Sequence, residues 1–314
     1  MNVAANQAWE ALKHDTQFDY AMEHVMQRPP VEIGIPGLDD ALGGGVPVGT
    51  FTVLAGEGGT GKSAMACQMQ YTAATKGRRP VYYSLEMPRH MVISRLLSIH
   101  ARARGMHPVW WSTTRNVVLQ LAGHYVTDPT EAAYYMQRYM AGDNRNGVVD
   151  HVLAAWDDFE RTVWPRMAVV DNMQTVQQVC DSIDSLCSSG LRVLPIIDYV
   201  QLGADGDGTE YERVTTASHL LQRMAKRWQI PMLAISSLRN IRKDERDQPP
   251  NISQLRGSGH LGYDAGTVIV MRRADSQTHG TQKGVMAYVV KNRVGPINED
   301  GIPLLFNGGA NEFL

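Results

Sequence analysis

One stretch of eight residues constrains the fold of this chain more than any other feature. It reads Gly56-Glu57-Gly58-Gly59-Thr60-Gly61-Lys62-Ser63 and fully matches the pattern GxxxxGK followed by Ser or Thr. An apolar run at 52–55 precedes it, and a helix-like segment to about Thr75 follows it. Glycines let backbone N–H groups surround phosphate oxygens at a helix N-terminus, so this context predicts a phosphate-binding loop between a strand and a helix. Lys62 is predicted to contact the β- and γ-phosphates of ATP, and Ser63 to bind Mg²⁺.

Short apolar runs rich in β-branched residues recur along the rest of the chain, at 80–85, 166–170, 193–199, 231–235, 267–271 and 286–290. Most are separated by stretches long enough for a helix, a pattern typical of a mainly parallel sheet with helices on both faces. The last runs lie closer together and are predicted to finish the sheet with antiparallel pairing. The sequence therefore predicts an α/β fold.

The 314 residues are predicted to form a short arm and one large domain. Residues 4–27 carry apolar side chains at helical spacing ahead of Pro29 and Pro30, so 1–30 is interpreted as an N-terminal helical arm or linker. Residues 31–314 are assigned to the one large domain that contains the phosphate-binding loop, with a helical insertion at about 105–165. Four aromatic residues of this insertion are interpreted as core rather than base-stacking residues: Trp110, Trp111, Tyr134 and Tyr135.

Charge is distributed unevenly along the chain. The 30 Lys or Arg and 32 Asp or Glu give a net charge of −2, which attracts no polyanion as a whole. Residues 239–293 hold ten Lys or Arg against five Asp or Glu, a net of +5, so the rest of the chain carries −7. A basic stripe of this kind is typical of single-strand binding, although Asp244, Glu245 and Asp247 also allow a merely solvated loop.

Cysteine content and hydropathy predict a cytoplasmic protein. The three cysteines, Cys67, Cys180 and Cys187, form no CxxC pair, which argues against a zinc site or a disulfide framework. The N-terminus is charged where a signal peptide requires an apolar core, and no uninterrupted run of 18 apolar residues occurs. Neither secretion nor contact with a membrane is expected.

Three carboxylates are candidates for metal binding and water activation. Asp198 and Asp171 each follow an apolar strand, and the strand pattern does not choose between them as the magnesium ligand. Glu86 follows the strand after the phosphate-binding loop, so it is expected at the same sheet edge, where it could activate water. A carboxylate that caps the next helix, with Pro88 in its first turn, is the equally supported alternative for Glu86.

Residues 31–100 and 166–314 resemble the RecA-type ATPase domain of DnaB-like replicative DNA helicases. The resemblance rests on short motifs in the family's order: Gly34-Ile-Pro-Gly-Leu-Asp39 before Gly43-Gly-Gly, the phosphate-binding loop, Ser84-Leu-Glu-Met87, Ile197-Asp-Tyr-Val-Gln-Leu202, Leu255-Arg-Gly-Ser-Gly259 and Lys291-Asn-Arg-Val-Gly-Pro296. It implies a RecA-like P-loop NTPase fold and a homo-oligomeric ring, expected to be hexameric.

The resemblance also implies roles for individual residues. Glu86 becomes the catalytic glutamate and Asp198, not Asp171, the aspartate on the metal side. Lys291 and Arg293 are expected to reach the nucleotide of the neighbouring subunit. The resemblance places four residues in a loop that holds the phosphates of single-stranded DNA: Arg256, Gly257, Ser258 and Gly259. Without the resemblance, Lys291 and Arg293 would be interpreted as cations at a solvated strand end.

Three departures from the family pattern stand out. Ser237 replaces the glutamine that usually senses the γ-phosphate and couples it to the DNA loop, and it is too short for the same reach, so coupling is expected either to be weaker or to use another residue such as Arg239. Gly257 stands where the family often carries glutamate. The phosphate-binding loop begins at residue 56, which leaves no room for the family's helical N-terminal domain. Primase binding is therefore not expected, whereas a loader remains a possible partner.

These observations predict an Mg²⁺-dependent ATPase that translocates on single-stranded DNA as a ring and unwinds duplex. The alternative is a RecA-fold, ATP-switched DNA-binding or recombination-accessory protein without unwinding activity, which Ser237 and the missing N-terminal domain favour. A small-molecule kinase is disfavoured, because no lid or substrate pocket is recognisable and residues that act in trans would be superfluous.

Overall fold

A single nine-stranded sheet organises the molecule in the order β3-β2-β4-β5-β1-β6-β7-β8-β9. The computed structural model describes residues 28–106, 148–240, 248–257, 259–279 and 282–314, with the single positions 7, 9, 10, 26 and 245. The strands are β1 (Phe51–Gly56), β2 (Arg79–Ser84), β3 (Ala168–Val170), β4 (Val193–Asp198), β5 (Met232–Ser237), β6 (Thr267–His279), β7 (Gln282–Asn292), β8 (Asn298–Asn307) and β9 (Glu312–Phe313).

The six strands from β3 to β6 pair in parallel, and β7, β8 and β9 extend the sheet with antiparallel pairing. The described helices are α1 (Pro36–Ala41), α2 (Lys62–Thr75), α3 (Arg89–Ala103), α4 (Val148–Thr162), α5 (Val176–Ser188), α6 (Val200–Gly203), α7 (Glu210–Trp228) and α8 (Gly259–Asp264). Short 3₁₀ turns occupy Trp164–Arg166 and Ile252–Gln254.

Helices cover both faces of the sheet, as a parallel sheet requires. Leu54 of β1 faces α2, α3 and α4 in one apolar cluster, whereas Phe51 and Val53 of the same strand face α5 and α7 in a second cluster. Every residue of β1 is therefore buried. The predicted α/β architecture with a mainly parallel sheet is confirmed.

The structure extends the predicted strands at the end of the chain. The run at 286–290 is the centre of the longer β7, and β8 and β9 were not predicted because their residues mix polar and apolar types. Much of the predicted insertion, residues 107–147, lies outside the described residues, as do its four singled-out aromatics and most of the predicted arm. Its described end, α4, buries Phe159 in the first cluster, so α4 packs as part of the main domain.

No helix in the described part of the chain is long and apolar enough to cross a membrane. The three cysteines are free and buried. Burial raises the pKa of the Cys67 thiol to about 12, so this thiol stays protonated at neutral pH.

A buried aspartate organises the segment that leads into the phosphate-binding loop. The two carboxylate oxygens of Asp39 accept hydrogen bonds from the backbone N–H groups of Ile33 (2.7 Å), Gly34 (2.9 Å) and Ile35 (3.1 Å). The carbonyl of Gly34 in turn accepts a hydrogen bond from Gln68 of α2. Asp39 therefore holds this segment in the shape that packs against the helix of the phosphate-binding loop.

We predict that Asp39→Ala lowers the free energy of unfolding by about 2–4 kcal/mol, because three backbone N–H groups lose their acceptor and two of them are buried. The neighbouring Asp40 is exposed and serves as the control, since Asp40→Ala is expected to change stability by no more than about 0.5 kcal/mol. Urea unfolding of the three proteins measures the difference. Equal stability of the two variants would show that the Asp39 bonds contribute nothing.

Candidate functional site

The phosphate-binding loop lies between β1 and α2, where backbone geometry requires its glycines. Gly59 and Gly61 adopt φ angles of 76° and 90°, in the left-handed region that favours glycine. A Cβ on Gly61 would also lie 2.7 Å from the ring of Phe313. The N-terminus of α2 has no side-chain cap and no acidic residue in its first turn. Its backbone N–H groups are therefore available to an anion.

Lys62 spans the loop from the first turn of α2. Its Nζ donates hydrogen bonds to the backbone carbonyls of Gly56 (2.9 Å) and Glu57 (3.0 Å). Burial lowers the pKa of Lys62, while the nearby carboxylates of Asp198 and Glu86 oppose the shift. A phosphate group would give this partly buried ammonium an anionic partner in place of two neutral carbonyls.

A cleft of about 580 Å³ brings together four of the residues that the sequence singled out as candidates for nucleotide and metal binding. Lys62, Ser63, Glu86 and Asp198 all line it. Its walls also include Ser237, together with five residues that the sequence did not assign to this site: Arg95, Tyr199, Lys283, Phe306 and Asn311. The cleft therefore combines a phosphate cradle, two carboxylates and an apolar end.

Asp198 is buried and held at the end of β4, in the centre of the sheet. The hydroxyl of Tyr82 donates a 2.6 Å hydrogen bond to Asp198 Oδ2. Burial and the adjacent Asp198 charge raise the pKa of Tyr82 well above its ordinary value, so Tyr82 keeps its proton at neutral pH. This bond fixes the orientation of the Asp198 carboxylate in the cleft.

Asp171 lies elsewhere, after the edge strand β3. It accepts hydrogen bonds from the Arg89 backbone N–H (2.7 Å) and from the Arg89 guanidinium (3.1 and 3.2 Å). Partial burial alone would raise the pKa of Asp171, but these contacts with Arg89 lower it. Asp171 therefore binds the N-terminus of α3 and does not line the cleft, whereas Asp198 does.

The same contact bears on the two interpretations of Glu86. The first residue of α3 is Arg89, and its N–H is bound by Asp171, while Pro88 at the N-cap offers no side-chain cap. Glu86 is exposed and lines the cleft beside Lys62. The structure thus places Glu86 at the cleft, rather than at the cap of the helix.

Several cleft residues come from elements far apart in sequence. The end of the chain contributes Phe306, whose ring stacks on Phe313 with centroids 4.8 Å apart. Asn311 is 4% exposed, and its Nδ2 has no hydrogen-bond acceptor among the described residues. Arg273 of β6 donates a 2.7 Å hydrogen bond to the carbonyl of Gly58. No local motif marks Phe306 and Asn311, because the antiparallel end of the sheet brings them to the cleft.

Lys291 and Arg293 lie on the side of the sheet opposite to the cleft, where the parallel strands begin. Lys291 Nζ donates to the carbonyls of Gly262 (2.8 Å) and Tyr263 (2.6 Å), and Arg293 donates to Tyr263 (2.8 Å). Burial, followed by the charge of Arg293, lowers the pKa of Lys291. The neighbouring Asn292 pairs with Thr267, the first residue of β6, whereas Gly56 at the start of the phosphate-binding loop pairs with Met271 of the same strand. The four residues between these two levels correspond to roughly 13 Å along the strand. Neither cation lines the cleft of its own chain.

The predicted DNA loop follows the 3₁₀ turn Ile252–Gln254 and lies beside the end of β5. Arg256 N donates to the carbonyl of Ser237 (3.0 Å), and Arg256 Nε pairs with Glu210 Oε1 (2.9 Å). Gly257 has a φ of 90°, and a Cβ there would lie 2.8 Å from Val214, so this position favours glycine over glutamate. Ser258 lies outside the described residues, and Gly259 begins α8.

Arg239, one of the alternatives considered for the role of the missing glutamine, is held elsewhere. Its guanidinium pairs with both oxygens of Glu245 (2.6 and 2.9 Å) and donates to the carbonyl of Ser253. Arg239 does not line the cleft, whereas Ser237 does. Arg239 is therefore held away from the cleft in this arrangement.

A second group of possible metal ligands lies away from the cleft. His219 of α7 and the α8 residues His260 and Asp264 place their ligand atoms within 4.8 Å of one another. Asp264 already accepts a 2.7 Å hydrogen bond from Ser218, and the two imidazole rings meet edge to face. This group belongs to the packing of α7 against α8 and shares no residue with the cleft.

Comparison with known proteins agrees with the predicted resemblance. Residues 164–314 match the family model of the DnaB-like helicase C-terminal domain, and residues 31–106 match the model of the KaiC ATPase. The replicative DNA helicase DnaB of Leifsonia xyli subsp. xyli is 27% identical over 288 residues, which are 90% of this chain and 55% of that protein. The DnaB of Haemophilus influenzae is 24% identical over 90% of this chain and 54% of its own. This chain thus spans about half the length of these relatives.

Solved structures show the same fold. An ATPase domain of known structure superposes with a TM-score of 0.70 at 20% identity, over 95% of this chain and 98% of that chain. A DnaB-like replicative helicase, described with its interactions with primase, gives 0.70 at 20% identity over 96% and 66%. The predicted RecA-like fold and the resemblance to DnaB-like helicases are confirmed.

Mutation can test which of the two aspartates, Asp198 or Asp171, contributes to Mg²⁺-dependent nucleotide binding. We predict that Asp198→Asn weakens Mg²⁺-dependent binding of a fluorescent ATP analogue by about tenfold or more, because a carboxylate in the cleft is lost. Asp171→Asn is expected to change this affinity by less than about twofold and to lower stability instead, since it weakens the contact with Arg89. The lowered pKa of Asp171 means that its stabilisation is present at neutral pH and is lost as the pH falls into the acid range. A loss of Mg²⁺-dependent affinity confined to Asp171→Asn would reverse the assignment.

Proposed function

We propose that this chain, which resembles DnaB-like helicases, is the motor of an ATP-dependent DNA helicase. It hydrolyses ATP at subunit interfaces of a ring, which we propose to be hexameric, and translocates on single-stranded DNA to unwind duplex. The observation that carries the proposal is the division of the functional residues between two edges of one sheet. The cleft with the phosphate-binding loop lies at one edge, and Lys291 and Arg293, both bonded to backbone carbonyls, lie at the other.

The residues of the cleft suit a magnesium nucleotide. The uncapped N-terminus of α2 and the Lys62 ammonium suit the phosphates, while Ser63 and Asp198 would hold Mg²⁺ by a hydroxyl and a carboxylate. Mg²⁺ bound there would offset charge on the β- and γ-phosphates. Glu86, exposed at the same cleft, is placed to accept a proton from the attacking water.

The apolar end of the cleft suits the base of the nucleotide. Phe306 presents an aromatic surface supported from behind by Phe313. Nδ2 of Asn311 is a buried hydrogen-bond donor without an acceptor among the described residues, and a ring nitrogen of adenine could accept a hydrogen bond from it. Gln68 holds this end of the chain on α2, since its side-chain amide bonds both the N–H and the carbonyl of Phe313.

Lys291 and Arg293 are proposed to act on the nucleotide of the next subunit. A head-to-tail ring brings one surface of each subunit against a different surface of its neighbour. Because these two cations lie at the sheet edge opposite their own cleft, such an interface can supply them to the neighbouring cleft. Their contacts with the carbonyls of Gly262 and Tyr263 hold them in place before assembly. A guanidinium would there stabilise charge on the transferring phosphoryl group.

Single-stranded DNA is the proposed partner of the loop at 256–259. The Arg256 side chain is more than half exposed, and its partner Glu210 is an exposed surface carboxylate that a DNA phosphate could replace. The net charge of +5 over residues 239–293 supports the same surface. Binding is accordingly expected to weaken as salt increases.

Further assignments accompany the motor. We propose that residues 1–30 act as an arm or linker and 31–314 as the motor, with an insertion at about 105–165 and a cytoplasmic location. A loader remains a proposed partner. The accessory DNA-binding alternative receives no support from the Leifsonia xyli and Haemophilus influenzae relatives, both of which are named replicative DNA helicases.

Complementation between two inactive variants tests the shared site. We predict that Lys62→Ala and Arg293→Ala each abolish ATP hydrolysis, because one lacks the phosphate contact and the other the group donated to the neighbour. In an equal mixture, about one interface in four joins an intact loop to an intact arginine, so up to about a quarter of the wild-type rate returns.

Arg161→Ala provides the control, because Arg161 is a well-exposed arginine of α4 whose ion pair is with Asp158 of the same helix, away from the cleft. This variant is expected to keep the wild-type rate. If the mixture of the two inactive variants stays inactive although native mass spectrometry detects mixed rings, the proposal of catalysis in trans fails.

A further inference from the structure

Gln201 of α6 connects the nucleotide cleft to the Arg256 loop. Its Nε2 donates a 2.7 Å hydrogen bond to Ser236 Oγ and a 2.9 Å hydrogen bond to the backbone carbonyl of Arg256. Gln201 lies three residues after Asp198, and Ser236 precedes Ser237. Both Asp198 and Ser237 line the cleft. One side-chain amide thus joins two elements of the cleft to the loop.

The orientation of this amide is fixed by its partners. The Arg256 carbonyl can only accept a hydrogen bond, so the atom that faces it must be the amide nitrogen. Ser236 Oγ accepts from the same nitrogen and donates to the carbonyl of Ser237 (3.1 Å). That carbonyl also accepts from the Arg256 N–H (3.0 Å). The four groups form a closed ring of hydrogen bonds between the end of β5 and the loop.

Two other polar side chains at the end of β5 do not make this connection. The Arg239 guanidinium is held by Glu245, away from the cleft. Ser237 lines the cleft, but its hydroxyl is buried and has no partner in the part of the chain that the structure describes. Unlike these two, the Gln201 side chain bonds both the end of β5 and the loop.

We propose that Gln201 is a positioning residue that couples nucleotide occupancy of the cleft to the position of Arg256. Ligand contacts that shift the ends of β4 or β5 are passed through Gln201 to the Arg256 backbone, which sets how readily its side chain leaves Glu210 for a DNA phosphate. The proposal rests on the proposed function, because it assumes that the loop binds DNA and that the cleft hydrolyses ATP.

The test uses Gln201→Met, which keeps the length of the side chain and removes its hydrogen-bonding groups. Three quantities are measured on the full chain with oligo(dT): the ATPase rate without DNA, the rate at saturating DNA, and the DNA affinity with a non-hydrolysable ATP analogue and with ADP. Gln222→Met is the matched control, since Gln222 is also half-buried and also donates to a backbone carbonyl, that of Asp264 (3.1 Å).

We expect Gln201→Met to keep the DNA-independent rate within about twofold and to reduce the stimulation by DNA about five- to tenfold, the range of a modest coupling free energy. The ratio of DNA affinities with ATP analogue and with ADP should approach one. Gln222→Met should retain both wild-type ratios. Ser236→Ala removes the hydroxyl from the same ring and should act like Gln201→Met, which keeps the test decisive if Gln201→Met folds poorly.

Two results would overturn the coupling role alone. One is wild-type stimulation by DNA in both Gln201→Met and Ser236→Ala. The other is an equal fall of the DNA-independent and DNA-stimulated rates, which would indicate general damage to the cleft. If the wild-type chain itself shows no stimulation by DNA, the proposed function fails and the coupling role fails with it.

Discussion

Parallel pairing of the central strands is the constraint on which the candidate site depends. Gly56 at the end of β1 pairs with Ser237 at the end of β5, and Ser84 at the end of β2 pairs with Asp198 at the end of β4. Because parallel strands end at the same edge, one register aligns the phosphate-binding loop with the carboxylates that follow other strands. A slip of one residue would turn these side chains to the other face of the sheet.

The antiparallel strand β7 carries residues away from the cleft instead of toward it. It thereby separates the phosphate-binding loop from the two cations proposed to act in trans. Strand β7 runs back from the cleft edge of the sheet. Lys283, its second residue, therefore lines the cleft, whereas Lys291 near its end and Arg293 just after it lie at the far edge. A chain built in this way holds a complete phosphate cradle and carries its candidate trans-acting cations out of reach of that cradle. Under the proposed function, assembly is then a requirement for hydrolysis rather than an addition to it.

Residue patterns within short segments predict those parts of the fold that depend on neighbouring residues alone. The loop at 56–63, the central strands and the α/β class were predictable, because buried parallel strands are continuous apolar runs and the glycines are needed for backbone geometry. The strands β8 and β9 were not, since their partly exposed residues mix polar and apolar types. Phe306 and Asn311 reach the cleft only through this extension, so no spacing in the sequence could identify them.

The two aspartates illustrate the same limit. Asp171 and Asp198 follow strands of the same character, and the difference lies in strand order and in partners: β3 is at the sheet edge and Asp171 binds Arg89, whereas β4 is central and Asp198 binds Tyr82. Ser237 leaves the cleft without a long amide at that position, and the Gln201 amide bonds the preceding residue, Ser236, and the Arg256 carbonyl.

Separation of a forked DNA duplex, measured with ATP turnover in the same sample, tests the central claim most directly. If the chain is a ring-forming motor, strand separation will require ATP and Mg²⁺ and will be absent in Lys62→Ala. The extent of strand separation will fall when the salt concentration is raised. ATP hydrolysis stimulated by single-stranded DNA without any strand separation, at matched turnover and low salt, would contradict the helicase assignment and identify an ATP-switched DNA-binding protein instead.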